Sequence, residues 1–128
     1  MAFRVVRLGS PRARNEGLRI GTVRRPPRGV PKALFAEENW FDTWLPELAP
    51  SDEAFEMAKA ATTDRDWAAF AKRYRAEMGQ PDKQRLLKLL AMLSAQTMFS
   101  VGCYCEDESR CHRSVLRALL EEAGAYPA

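Results

Sequence analysis

Eleven consecutive residues, Cys103-Tyr104-Cys105-Glu106-Asp107-Glu108-Ser109-Arg110-Cys111-His112-Arg113, hold all three cysteines and the only histidine of this 128-residue chain. Thiols become nucleophiles when a helix start or a neighbouring cation favours the thiolate. Cys111 lies at the expected start of a helix, between Arg110 and Arg113, and is the expected reactive thiol. Cys105 is the second candidate nucleophile. Glu106 and His112 are the nearby groups able to exchange a proton in such chemistry. Helix starts and cations lower a thiol pKa, whereas carboxylates and burial raise it. The expected order of alkylation is therefore Cys111, then Cys105, then Cys103.

Other chemistries use the same atoms. Cys103, Cys105, Cys111 and His112 together supply the donors of a Cys₃His zinc centre, although C-x-C-x5-C-H departs from the usual C-x2-4-C spacing. Zinc is thus the alternative cofactor reading, and the cofactor is otherwise undetermined. A phosphatase-type loop would need an arginine six residues after its cysteine; Cys105 has Arg110 at five and Cys111 at six, so that motif is absent. Cys103, inside an uncharged run, also reads as plain core.

Charge adds a second theme. The formal net charge is +3, but residues 1–32 carry +8 and the remainder −5. Basic segments of this kind suit phosphate groups or nucleic acid. Within them, Arg24-Arg25-Pro26-Pro27-Arg28-Gly29-Val30-Pro31-Lys32 is too rich in proline for regular structure. A stiff loop carrying Arg24 and Arg28 is expected, and with Arg110 and Arg113 it makes a candidate anion-binding set.

The elements that must position these groups follow from periodicity. Phe3–Leu8 and Leu18–Val23 read as strands, and the uncharged run at 97–104 reads as a buried strand. Helices are expected near 51–61, 64–78, 82–95 and 110–122, with a short helix or irregular segment at 33–50 ending near Leu45. This order favours a single α/β domain over 1–128, with a small, largely parallel sheet. Ligands in such sheets bind beyond the carboxyl ends of strands, which is where the cysteine loop would lie.

Composition excludes disorder, collagen and coiled coil: 46% of residues are hydrophobic and 29% charged. No apolar run approaches the roughly 20 residues of a membrane span, so no membrane partner is expected. Met1–Val6 does not read as a secretion signal, and three cysteines without one point to a reduced, cytoplasmic setting.

Several ordered motifs resemble the DUF488 family of bacterial and archaeal proteins, nearest its YeaO-like branch. They are Cys103-Tyr104-Cys105-Glu106 with Arg110-Cys111-His112-Arg113; Arg24 with Pro27-Arg28-Gly29-Val30; Trp44 with Leu48-Ala49-Pro50-Ser51; and Trp67, Phe70, Arg73 and Tyr74. Val23 and Pro26 stand where that family's arginine loop often has an acid and a tryptophan. The resemblance implies a compact α/β fold of three-layer or Rossmann-like character and no particular activity.

Three functional expectations follow. The first is an enzyme or ligand sensor with a pocket joining the arginine loop to the cysteine loop, taking a phosphate-bearing small molecule. The second is a non-catalytic module binding nucleic acid or phosphate through the basic N-terminal face. The third is a Cys/His metal-binding domain.

Overall fold

The computed structural model describes all 128 residues. Four strands, β1 (Phe3–Arg7), β2 (Leu18–Gly21), β3 (Thr43–Trp44) and β4 (Phe99–Cys103), form one parallel sheet in the order β1-β4-β2-β3. Every residue of β4 is buried, as expected for a strand paired on both sides and covered on both faces. Val101 of β4 stands opposite Val5 and Ile20, and Gly102 opposite Gly21.

The helices are α1 (Asp52–Ala60), α2 (Asp64–Met78), α3 (Pro81–Ser94) and α4 (His112–Glu122). Their starts follow local chemistry. Ser51 Oγ accepts the Ala54 N–H at 3.1 Å, and Thr63 Oγ1 accepts the Asp66 N–H at 3.0 Å; both satisfy donors that a helix start leaves free. Pro81 occupies the first turn of α3, where its missing N–H costs nothing. The apolar sides of all four helices meet Phe3, Ile20, Phe99 and Val101 in one core that includes Phe70, Tyr74, Leu87, Leu116 and Leu120.

The opposite face of the sheet has no helix. Loops from residues 8–17 and 22–42 cross it, and they can lie close because two glycines face them. A Cβ on Gly21 would sit 2.3 Å from Phe41, and one on Gly102 would sit 2.5 Å from Leu8. These side chains build a second, smaller core with Val23, Cys103 and Cys111.

The expected small α/β fold with a parallel sheet is present, and differences are local. Of the two readings of residues 33–50, the irregular segment is the one present, and no α-helix ends near Leu45. The segment contains 3-10 turns at Lys32–Leu34 and Pro46–Leu48 around the two-residue edge strand β3. Pro46 stops any helix begun earlier from continuing, and the N–H of Leu45 bonds to the Gly21 carbonyl instead. The last helix begins at His112 rather than near Arg110, because Glu108–Arg110 form a separate 3-10 turn. Asp107 caps that turn by accepting the Ser109 N–H at 3.0 Å.

Candidate functional site

The carboxyl ends of β2 and β4 open into a cavity of about 380 Å³. Its floor carries Cys103, Cys105, Cys111 and His112, and Phe55 and Phe70 form apolar wall. Arg24, Arg25, Lys59 and Arg110 also line it, with Asp52 as the one carboxylate. Fixed backbone corners hold this wall. The backbone N–H and hydroxyl of Ser51 both donate to Glu77, whose carboxylate also receives Arg73 Nε at 3.0 Å. The Pro50 carbonyl, one residue earlier, accepts Arg24 Nε at 3.0 Å. Burial alone would raise the Glu77 pKa, but the Ser51 and Arg73 bonds outweigh it and hold the carboxylate ionised.

The thiols form a chain. Cys103 and Cys105 sulfurs lie 3.8 Å apart, and Cys111 Sγ lies 3.8 Å from His112 Nδ1. One donor atom each from Cys103, Cys111 and His112 falls within 4.8 Å of the others. His112 Nε2 is 2.8 Å from the Thr22 carbonyl. A carbonyl only accepts, so Nε2 carries a proton, and Nδ1 is the ring atom that faces Cys111. Tyr74 packs edge-to-face on the imidazole at 5.6 Å.

Arg113 completes the cluster from below. It is 3% exposed and donates from Nη2 to the Cys105 carbonyl at 2.5 Å and from Nε to Cys111 Sγ at 3.4 Å. Cys105 is only partly buried, and its pKa falls well below the ordinary thiol range. The Cys103 S–H bond to it is the main cause, the Cys111 bond the next, and the Arg113 charge assists. Cys103 is pushed up as the donor in that sharing and by burial. Cys111 is lowered, chiefly through its bond with Cys103, yet it is only 2% exposed.

The other expected site residues divide clearly. Arg24 and Arg110 reach the thiol cavity; Arg110 is held by Asp64 at 2.6 Å and lies 5.7 Å over the Trp67 ring. Arg113 serves the thiols and the loop. Arg28 lines a neighbouring cleft on the far side of Tyr104. Glu106 lies outside the cavity, exposed and paired with Arg7 at 3.5 Å. Cys111 sits at the N-cap of α4, as its position beside the helix start implied, but packed under the loop.

Five of the nine cations in the +8 segment are paired within the fold. Arg19 pairs with Glu16, Arg12 with Asp42, Arg7 with Glu106, and both Arg24 and Arg25 with Asp52. Sequence reasoning missed Thr22, which fixes the imidazole, because a lone threonine carries no spacing signal. It also missed Arg25, beside Arg24 on the proline loop, and Phe55 and Lys59, which the packing of α1 beside the cysteine loop brings to the cavity.

No significant match was found among curated proteins or among solved structures. The motifs that meet at this end of the sheet come from segments spread along the whole chain, and the family match is correspondingly long. Residues 3–124 match DUF488-N3a, described as the active DUF488-N3 subclade, and the chain belongs to that family.

Proposed function

We propose that the protein is a thiol-dependent enzyme that takes a small, phosphate-bearing substrate into the cavity at the carboxyl ends of β2 and β4. The observation that carries this reading is the partly exposed Cys105, whose sulfur lies 3.8 Å from that of Cys103 and whose thiolate is favoured. Cys105 acts as the nucleophile, and Cys103 and Arg113 stabilise its charge. His112, with Nδ1 3.8 Å from Cys111 Sγ, is the proton-exchanging group beside the thiols. Arg24 and Arg110 meet the anionic part of the substrate, while Phe55 and Phe70 exclude water from the apolar part. The description of the family as an active subclade is in keeping with a working site.

Timed iodoacetamide labelling with peptide mass spectrometry tests the reading. Pyrophosphate is expected to slow labelling of Cys105, and Arg110→Ala is expected to weaken that protection. An inert Cys105, or labelling indifferent to pyrophosphate, overturns it.

A metal centre is the second reading, and a specific observation favours it. Two thiolates on a tetrahedral zinc at the usual Zn–S length are about 3.8 Å apart, the separation found between Cys103 and Cys105. A ligating histidine commonly donates its other N–H to a carbonyl, as His112 does to Thr22. Such an ion would be held by Cys103, Cys111 and His112, whose donor atoms already lie within 4.8 Å of one another, with Cys105 beside Cys103 as the fourth ligand, and it would suppress alkylation of all three thiols. Elemental analysis of protein purified without chelator distinguishes the two readings. One tightly held zinc per chain supports the metal centre, and its absence together with a labelled Cys105 supports the enzyme.

A further inference from the structure

Tyr104 separates the thiol cavity from a larger cleft of about 600 Å³ on the opposite side of the β4 exit. The cleft is lined by Arg7, Arg25 and Arg28, by Trp40 and Tyr104, and by no carboxylate. Trp40 and Tyr104 meet edge-to-face, with ring centroids 6.0 Å apart. Both rings are held in place. Trp40 lies over Gly9, where a Cβ would come within 2.8 Å of the indole, and Tyr104 donates its hydroxyl to the Arg25 carbonyl at 2.9 Å. Arg7 Nε donates to the Tyr104 carbonyl at 3.2 Å. Arg28 makes no hydrogen bond or ion pair, and the stiff Pro26-Pro27 step carries it. A free guanidinium on a rigid loop, set beside fixed aromatic rings, has the two chemistries that a nucleotide requires: a charge partner for phosphate and a surface for a base.

We propose that this cleft binds a nucleotide unit, with its base against Trp40 and Tyr104 and its phosphate against Arg28 and Arg25. The unit is either a free nucleotide or one residue of a single strand. The site does not depend on the thiol chemistry, but Arg25 and Tyr104 line both hollows, so a nucleotide seated here abuts the thiol cavity.

Calorimetric titration of the full chain tests the assignment with three probes: adenosine monophosphate, ribose 5-phosphate and a ten-residue oligodeoxyadenylate. The monophosphate or the oligonucleotide is expected to bind, and ribose 5-phosphate to bind at least about tenfold more weakly, because base stacking supplies a substantial part of the affinity. Tight binding of the monophosphate identifies a free nucleotide as the ligand. Binding of the oligonucleotide alone, weakening steeply with salt, identifies a strand. Arg28→Ala removes a side chain with no partners in the fold, so it preserves folding and is expected to weaken binding about tenfold. Trp40→Phe, which keeps an aromatic surface, is expected to cost less than Arg28→Ala. No binding of either base-containing probe, or equal binding of ribose 5-phosphate, overturns the proposal. Labelling of Cys105 is read in the same samples. Loss of nucleotide binding with a normally reactive Cys105 overturns this inference alone, whereas an inert Cys105 with intact binding overturns the thiol reading alone.

Discussion

Cys105 combines two properties that neither other thiol brings together: access to solvent and a stabilised thiolate. Cys111 has the helix start and the Arg113 contact but is packed under the loop. Cys103 is buried and is the proton donor of the trio. The expected order of iodoacetamide labelling is therefore Cys105, Cys111, Cys103, a revision of the order that charge and helix position suggest by themselves. The sign of the pH effect follows. A lowered pKa keeps the sulfur ionised as pH falls, so Cys105 should label at nearly the same rate at about pH 8 and about pH 6. An unperturbed thiol would slow by about tenfold per unit over that range. Peptide-resolved rates at the two pH values check both claims, and a Cys105 rate that drops in step with a glutathione control contradicts them. The sequence shows which residue types gather, because C-x-C and C-H-R fall within eleven positions. It does not show which sulfur faces the cavity. That depends on β4 ending at Cys103, so that Cys105 leaves the strand while the 3-10 turn folds Cys111 inward.

Gly21 and Gly102 stand opposite one another in the β2–β4 register and make a flat shelf for Phe41 and Leu8. This close approach brings the irregular loops into place over the sheet and carries Val23 to the cavity wall. Gly21→Ala forces its methyl to within 2.3 Å of the Phe41 ring, so Phe41 or the loop must shift. Overpacking of this kind costs about 1–3 kcal/mol, which for a domain of this size lowers Tm by several degrees. Differential scanning calorimetry reads the change, and a Tm equal to wild type contradicts the shelf. At this scale the four helices were legible, because each has an apolar stripe and the first three also have a capping or proline start. The segment 33–50 was legible only as a choice between a short helix and an irregular stretch, and its edge strand was not. Trp40, Phe41, Trp44, Leu45 and Leu48 mimic a helical face, but Phe41 is drawn to the bare surface of Gly21 and Thr43–Trp44 pair with Ile20–Gly21. Both attractions are tertiary, and neither has a local signature.

At the scale of the whole molecule, the helix-free face of the sheet is held by an ion pair where a layered α/β fold would place a helix. Arg19 donates to Glu16 through Nε at 2.6 Å and Nη2 at 2.8 Å, and its Nη1 reaches the carbonyls of Ser10 and Asn39 at 2.9 and 2.8 Å. Glu16 also accepts the Ala13 N–H at 3.0 Å and the Ser100 hydroxyl at 2.8 Å. One buried cluster thereby ties both crossing loops to β2 and β4. Burial alone would raise the Glu16 pKa, but the bonds from Arg19, Ala13 and Ser100 outweigh it and lower the carboxyl from 4.5 to about 2. A carboxylate with a lowered folded-state pKa contributes stability that is present above its unfolded value and lost as pH falls through the folded one. The window is therefore from pH 4.5 down to about 2, and the contribution at stake is about 3 kcal/mol. Glu16→Gln leaves Arg19 buried without its counter-charge, which costs about 3–5 kcal/mol at neutral pH. It also removes this group's share of the acid dependence. Urea unfolding of both proteins, followed from about pH 6 to about pH 2, should show two curves well separated at the upper end and converging as wild type loses the Glu16 contribution. A constant gap across that range would mean that the carboxylate does not hold the loops to the sheet through its charge.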